Sequence, residues 1–204
     1  MKQRTLVVVS AGLSQPSSTR LLADRLSAAA VAAANGLGIH LTVTVIELRD
    51  LAHDLMNHLL TGFPPAPLKE ALDAVEASDA LIAVTPVFNA SYSGLFKSFF
   101  DVLGKNALAD EPVLIAATGG TARHSLALDH AIRPMFAYLR AVTVPTSVFA
   151  ASEDWGGDES EGQLRARISR AASELAREID RREPATVADP FALTTSFEEL
   201  LAGR

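Results

Sequence analysis

Short apolar and β-branched runs alternate along this chain with longer segments of helical periodicity, and this alternation is what most restricts the possible folds. The predicted strands cover residues 5–10, 39–48, 80–85, 113–117 and 141–149. Alternation of strand and helix is typical of a parallel sheet, because parallel neighbours need a long crossover connection that is usually helical. The sequence therefore predicts an α/β fold.

The predicted strands differ in how their hydrophobic residues are arranged. The first, third and fourth are nearly continuous apolar runs, as expected for parallel strands covered by helices on both faces. In the second strand His40, Thr42 and Thr44 alternate with apolar residues, which indicates one wet face and a place at the sheet edge. Five such strands predict a flavodoxin-like, doubly wound parallel sheet of order 2-1-3-4-5 with helices on both faces. Ligands of such sheets bind outside the carboxyl ends of the strands.

Two long helices are predicted at the ends of this pattern. The first covers residues 18–35 and buries Leu22, Leu26, Ala29 and Ala33. The last covers residues 158–182, and its buried stripe is predicted to be Leu164, Ile168, Ala171, Leu175 and Ile179.

The 204 residues are enough for one α/β domain, which we place at residues 1–183. The remaining residues, 184–204, form a tail with several large apolar side chains, and we expect it to dock on the domain or on a neighbouring subunit.

The composition excludes several classes of function. Lys and Arg total 18 against 24 Asp and Glu, with no basic block, so nucleic acid is not an expected partner. The chain has no Cys, which excludes disulfides, thiolate–zinc sites and thiol nucleophiles. The apolar run after the N-terminus is too short for a signal or a membrane span, so no membrane association and a cytoplasmic location are expected.

The loop after the first strand is rich in hydroxyl groups. Ser10, Ser17, Ser18 and Thr19 all lie near the start of the first helix. A helix N-terminus presents unpaired N–H groups and a partial positive charge, and hydroxyls add neutral donors, so the loop is predicted to hold a phosphate. A single serine that caps the helix is the simpler interpretation, but one cap needs one hydroxyl.

The loops after the third and fourth strands are predicted to form a slot for a planar ligand. In the second loop Pro86 is expected to end its strand and to fix the backbone of the residues that follow it, Val87, Phe88, Asn89, Ala90 and Ser91. In the third loop Thr118, Gly119, Gly120 and Thr121 contain a glycine pair that lets backbone amides approach a ligand closely. A strand terminator and a flexible loop are the alternative interpretations.

Taken together, the three loops resemble those of the NAD(P)H-dependent FMN reductase family, over roughly residues 6–149. The likeness is strongest to the branch that partners two-component flavin monooxygenases, including the reductases of sulfonate assimilation. The resemblance implies that the first loop holds the FMN phosphate and that residues 86–92 and 118–121 line the isoalloxazine. It departs at Ser18, where relatives often have Arg, and at Phe88, where Tyr is common.

The same resemblance implies the chemistry. FMN and NADPH or NADH are the expected cofactors, and hydride passes between them, so no catalytic side chain is expected. Arg123 and His124 are candidate contacts to the nicotinamide cofactor. A homo-oligomer, a dimer or tetramer, is expected, and a flavin-dependent monooxygenase is the expected acceptor of reduced FMN. His130 matches a position where sulfonate reductases carry an inserted Tyr at an oligomer interface.

Two other functions stay open at this stage. A quinone or azo reductase with tightly held FMN would use the same loops, and a flavodoxin-like electron carrier would use them without catalysis. Carriers commonly place the flavin between aromatic rings, and one Trp and two Tyr leave few candidates here.

A pair of histidines and a group of apolar residues on one short helix can each be interpreted as a functional or as a purely structural feature. No metal site is expected at His53 and His58, which are interpreted as part of a solvated loop. Phe96, Phe99, Phe100 and Leu103 belong either to the core or to an oligomer interface.

Overall fold

The computed structural model describes residues 1–156 and 158–185, with only the backbone of residues 158 and 159. The strands are β1 (Lys2–Ser10), β2 (Ile39–Glu47), β3 (Ala80–Phe88), β4 (Ser91–Tyr92), β5 (Pro112–Gly119), β6 (Val142–Thr143) and β7 (Val148–Ala151). The helices are α1 (Ser18–Gly36), α2 (Ala52–Thr61), α3 (Ala66–Glu76), α4 (Gly94–Asp101), α5 (Arg133–Tyr138) and α6 (Asp158–Asp180).

The parallel strands follow the order β2-β1-β3-β5, with β6 and β7 both on the far side of β5. This order confirms the predicted flavodoxin-like arrangement. The second strand lies at the edge, as predicted, and His40, Thr42 and Thr44 are exposed. The antiparallel β4, which pairs with the end of β3, was not predicted. It is only two residues long, too short to give a periodic signal.

The fifth predicted strand, 141–149, is wrong as a continuous element. Its two halves pair with β5 in registers that differ by two residues, Pro112 opposite Val142 but Ala116 opposite Val148. Pro145 lies in the intervening bulge, where it donates no ladder hydrogen bond. Side chains from both layers hold the bulge: Arg133 donates to the Pro145 carbonyl, and the Glu174 carboxylate accepts from the Thr146 N–H at 2.7 Å.

Pro86 does not end its strand, contrary to prediction. The strand β3 continues to Phe88, and Pro86 lies opposite Thr118 in β5. On its other side β3 makes its last pair with β1 at Val84. A proline is tolerated here because it lies past the end of β1, so no strand on that side needs a hydrogen bond from its backbone nitrogen.

The hydrophobic core lies in two layers, one on each face of the sheet. The helices α1 and α6 cover one face, and α3, α4 and α5 pack with the other. The predicted stripe of α6 is confirmed, with each member at most 5% exposed. In α1 the buried residues include Leu22 and Leu26 but continue through Ala30 and Ala34, while Ala29 and Ala33 are only partly buried.

Phe96, Phe99 and Phe100 belong to the core and not to an oligomer interface, since none is more than 2% exposed. Their rings pack edge to face or tilted against one another and against Phe136, with centroids 4.8–6.3 Å apart. Residues 186–204 of the predicted tail lie outside the described residues. Among the described helices, none is both long and apolar enough to span a membrane.

At the amino-terminal edge of the sheet, a cavity of about 380 Å³ contains buried charged groups. Arg4 is 8% exposed, and the Asp79 carboxylate accepts from the Thr5 and Ala185 N–H groups at 2.7 and 2.8 Å. Burial raises the pKa of Glu111 to about 8. Its carboxyl lies 3.0 Å from the Ser78 hydroxyl, which is also 3.0 Å from the Val75 carbonyl. One hydroxyl proton cannot serve both acceptors, so a protonated Glu111 satisfies this group better.

This pKa predicts a pH dependence of stability. Because the pKa of Glu111 is higher in the folded chain than its ordinary value of 4.5, the folded state holds a proton that the unfolded state has released. The contribution of the protonated Glu111 to the free energy of unfolding is therefore complete below about pH 4.5 and is lost as the pH rises toward about 8. We expect Glu111→Gln to gain stability relative to the wild type as the pH is raised from about 5 to about 8.5.

Urea unfolding at several pH values measures this difference. Glu70→Gln, at an exposed position of α3, is the matched control and should run parallel to the wild type. A constant difference between Glu111→Gln and the wild type across this range would contradict the assignment.

Candidate functional site

The carboxyl ends of β1, β3 and β5 meet at one edge of the sheet and form a cleft of about 350 Å³. This volume lies within the usual range for small-molecule sites. The cleft brings together residues from all three predicted loops: Ser18, Thr19, Pro86, Val87, Phe88, Thr118, Gly119 and Gly120. The other predicted residues, Ser10, Ser17, Asn89, Ala90, Ser91 and Thr121, do not line it.

The predicted hydroxyls of the first loop have different environments. Ser17 is the N-cap of α1, and its Oγ accepts from the Arg20 N–H at 3.2 Å. A Cβ on Gly12 would lie 2.1 Å from that Oγ, so only glycine allows the loop to close over the cap. Ser10 is 1% exposed, and within the described residues its Oγ has no hydrogen-bond partner. Of the predicted hydroxyls in this loop, Ser18 and Thr19 are thus the ones that line the cleft.

A buried hydrogen bond joins the first and third loops. The Oγ1 atoms of Thr19 and Thr118 are 2.8 Å apart, and the two residues are 3% and 4% exposed. They lie 99 positions apart in the chain, so the contact exists only because the sheet places the ends of β1 and β5 on either side of β3. It fixes the distance between two walls of the cleft.

The second loop is a tight hairpin between β3 and β4. Its two central residues, Asn89 and Ala90, both have left-handed backbones, with φ of 47° and 67°. Asparagine tolerates this region, but alanine adopts it at a cost of about 1 kcal/mol. Below the turn the buried Thr85 hydroxyl accepts from the Ser93 N–H at 3.1 Å, and Ser93 caps α4. The hairpin therefore holds residues 86–88 rigidly against the cleft.

The two glycines of the third loop have different surroundings. A Cβ on Gly119 would lie 2.8 Å from the ring of Phe149, so this glycine is required by packing. Around Gly120 a Cβ would meet nothing within 4 Å, so its backbone faces open space in the cleft. Thr121 caps the following turn by accepting from the Arg123 N–H.

Three lining residues were missed from the sequence. Leu13 and Ser14 lie in the first loop, between strand and helix cap, and Ser152 follows β7. Ser152 is at the same edge as the predicted loops, but a fifth strand ending at residue 149 hid it. The bulge at Pro145 shifts the end of the last strand from the predicted residue 149 to Ala151. With the strand end placed correctly, Ser152 would be identified as the next residue at this edge.

Among the residues that the structure describes, no charged side chain lines this cleft. Arg20 pairs with Asp24 at 2.8 Å and also with Glu47, and the hydrogen bond to Asp24 raises the pKa of its guanidinium. Arg123 and His124 form an exposed turn outside the lining residues. Among the described lining residues an anion would therefore meet hydroxyls, backbone and the N-terminus of α1, while the Arg49 guanidinium, which donates to the Ser14 carbonyl at 3.4 Å, lies next to this loop.

The other histidines lie away from the cleft. His53 and His58 belong to α2 and not to a loop, contrary to prediction, and no group of three or more potential metal ligands occurs in the described part of the chain. His130 is exposed in a single π-helical turn, Leu128–Ile132, just before α5.

The geometry fits a flat ligand that carries a phosphate. The free N–H groups and positive end of α1, with Ser18 and Thr19, suit a phosphate group. The rigid backbone of residues 86–88 faces one side of a slot whose other wall is the open backbone at Gly120. FMN has this combination of a phosphate and a planar ring, so the residues present fit that group.

Comparisons with known proteins agree with this geometry. A family profile described as "NADPH-dependent FMN reductase" matches residues 4–156. The chain is 41% identical over 172 residues to "FMN reductase (NADPH)" of Pseudomonas aeruginosa, covering 84% of this chain and 90% of that protein. It is 40% identical over 168 residues to "NADH-dependent FMN reductase SfnE" of Pseudomonas putida, covering 82% and 88%.

Among solved structures, an oxidoreductase from Corynebacterium diphtheriae superposes with a TM-score of 0.86 and 52% identity. The superposition covers 90% of this chain and the whole of that chain.

The contact between Thr19 and Thr118 leads to a double-mutant prediction. Thr19→Val leaves the buried Thr118 hydroxyl unpaired and should destabilise the fold by about 1–3 kcal/mol, and Thr118→Val should do the same. The double variant, Thr19→Val with Thr118→Val, removes both polar groups. Its loss of unfolding free energy should therefore be smaller than the sum of the losses in the two single variants. Denaturant unfolding of the four proteins measures the coupling, and simple additivity would show that the hydroxyls do not interact.

Proposed function

The chain belongs to the NADPH-dependent FMN reductase family, and from this premise we propose that it reduces FMN with a nicotinamide dinucleotide and releases the product. One hydride and one proton reach FMN, and NAD(P)H leaves as NAD(P)⁺, so two electrons are transferred in each turnover. When bound, FMN supplies the two-electron acceptor, and the chain supplies binding, orientation and exclusion of water.

We assign the residues of the cleft as follows. The N-terminus of α1 with Ser18 and Thr19 holds the phosphate, and residues 86–88 and 118–120 flank the ring. Backbone N–H groups near Gly119 and Gly120 stabilise negative charge on the reduced ring, as fixed donors do at other sites of developing charge. Arg123 and His124, at the exposed rim of the third loop, meet the pyrophosphate of the dinucleotide. No side chain is assigned as a general acid or base.

The observation that carries the proposal of an exchangeable flavin is the neutral lining of the cleft. An arginine adds an opposite charge and a bidentate pair of hydrogen bonds to a phosphate, and a neutral hydroxyl supplies neither. A phosphate held only by hydroxyls and a helix N-terminus is therefore bound more weakly than one held by arginine. Weak phosphate binding favours a flavin that leaves after reduction over the tightly held FMN of a quinone or azo reductase. The acceptor of the released FMN is proposed to be a flavin-dependent monooxygenase, and the site of action the cytoplasm.

Dinucleotide oxidation with and without added flavin tests this function. We expect NADH or NADPH to be consumed in proportion to added FMN, and riboflavin to be a poorer substrate because it lacks the phosphate. Gly120→Ala should leave the free energy of unfolding within about 0.5 kcal/mol of the wild type, since its Cβ meets nothing, and should raise the KM for FMN.

Gly94→Ala, another position where a Cβ meets no neighbour, is the matched control and should leave the KM for FMN unchanged. Flavin that stays with the protein through dialysis and turnover would favour the quinone or azo reductase. Absence of dinucleotide oxidation with any flavin would favour the electron carrier.

We also propose that copies of the chain associate through α2. Met56, Leu59 and Leu60 recur at helical spacing on α2, and Phe63 follows just after the left-handed Gly62 that ends the helix; Leu60 and Phe63 are 87% and 81% exposed. Single exposed apolar residues are common, but a contiguous stripe marks an interaction surface. Because the stripe carries no charge, a second copy can pack against it through the same residues, as two-fold interfaces require.

Sedimentation of charge-introducing variants tests this surface. The double variant Leu60→Glu with Phe63→Glu should dissociate the oligomer without loss of secondary structure, because both side chains are already in water. Leu37→Glu, at a 45% exposed position after α1, should leave the mass unchanged. A wild-type chain that sediments as a monomer at micromolar concentration would contradict the proposal.

A further inference from the structure

Beside the cleft lies a second cavity of about 600 Å³ that the proposed chemistry has not used. Its walls come from the turn after the third loop, from the segment after β7 and from the first turns of α6. The lining includes Ser125, Leu126, Phe149, Glu153, Gln163 and Arg167. Most of the described lining residues are polar or charged, so the cavity suits a polar ligand better than an apolar one.

The cavity and the cleft share a wall. Gly120 lines the cleft, and Ala122, two residues later, lines the cavity. Likewise Ser152 lines the cleft, and the next residue, Glu153, lines the cavity. Between them the ring of Phe149, which lines the cavity, contacts Gly119 of the cleft. A ligand whose one end lies over the flavin thus has a second space next to it for its other end.

We propose that this cavity receives the adenosine half of the nicotinamide dinucleotide and that Glu153 makes NADH the preferred donor. The inference rests on the proposed function and names the donor for the same site. The named relatives use both donors, since one is called an NADPH and another an NADH enzyme. Membership of the family therefore does not fix the donor, and the local charges decide it.

The charged groups around the cavity are unequally paired. Asp154 accepts from the Ala151 N–H at 2.7 Å and from Arg167 at 3.2 Å, so the guanidinium that lines the cavity already has a carboxylate partner. Asp129 pairs with Arg133 at 3.1 Å. The exposed Glu153 lines the same space, and among the described residues no cation is within ion-pair distance of its carboxylate.

An unpaired carboxylate discriminates between the two donors at the adenosine ribose. The 2′-hydroxyl of NADH donates a hydrogen bond to a carboxylate, whereas the 2′-phosphate of NADPH is repelled by it. Arg123 lies in the neighbouring turn but does not line the cavity. The geometry therefore provides a partner for the hydroxyl, whereas Arg167, the arginine among the described lining residues, is already paired with Asp154.

Steady-state kinetics at saturating FMN test the donor preference. We expect kcat/KM for NADH to exceed that for NADPH by about tenfold or more. Glu153→Gln should reduce this ratio, and Glu153→Arg should reverse it, chiefly through the KM of the dinucleotide. Glu70→Arg makes the same change of charge at an exposed position of α3, outside the cavity, and should leave the ratio unchanged.

A binding measurement tests the location without flavin or turnover. Calorimetry should show ADP-ribose binding more tightly than 2′-phospho-ADP-ribose, with the order reversed in Glu153→Arg. Gln163→Trp, at an exposed position of α6, should fill the cavity and weaken both ligands while thermal melting stays unchanged.

These results separate the inference from the proposed function. A wild type that prefers NADPH, or a donor ratio that Glu153→Arg does not change, would overturn the inference while FMN reductase activity remains. Loss of all dinucleotide oxidation would contradict the proposed function itself, and the binding of ADP-ribose would still report on the cavity.

Discussion

The parallel pairing of β1, β3 and β5 is the constraint on which the rest of this structure depends. Val84 lies opposite Ser10, and Thr85 and Pro86 lie opposite Ala117 and Thr118. Because all three strands run in one direction, their carboxyl ends meet at one edge, and the loops that follow them form one cleft. Burial of the sheet on both faces holds this register, since a slip by one residue would move each side chain to the opposite face.

The two edges of the sheet carry different kinds of polar group. At the amino-terminal edge Arg4, Asp79 and Glu111 are charged or titratable groups packed into the fold. At the carboxyl edge the cleft is lined by neutral hydroxyls and backbone, and its fixed charge comes from the end of α1. The first arrangement makes stability depend on pH, and the second is the one to which we assign the phosphate of the flavin. Such a site suits the exchangeable flavin that we propose.

Rigidity in the cleft comes from contacts that are distant in sequence. The pair of Thr19 and Thr118 joins two loops, the pair of Thr85 and Ser93 anchors the hairpin, and Phe149 packs on Gly119. The left-handed Ala90 shows that the fold accepts backbone strain at this point. Such preorganisation is what the proposed function requires, since two cofactors must be oriented for hydride transfer.

The sequence by itself determined the alternation of strands and helices, the edge position of the second strand, the three loops of the site and the buried stripe of α6, because each depends on local periodicity or on residues next to a strand end. It did not locate the bulge at Pro145 or the residue Ser152 beyond it, and it left open whether Ser17 caps the helix or lines the site. Only the tertiary structure decided that Phe96, Phe99 and Phe100 are core while Leu60 and Phe63 face solvent, since apolar periodicity is the same in both cases. The cavity beside the cleft was equally hidden, because its walls come from segments that meet only when the chain is folded.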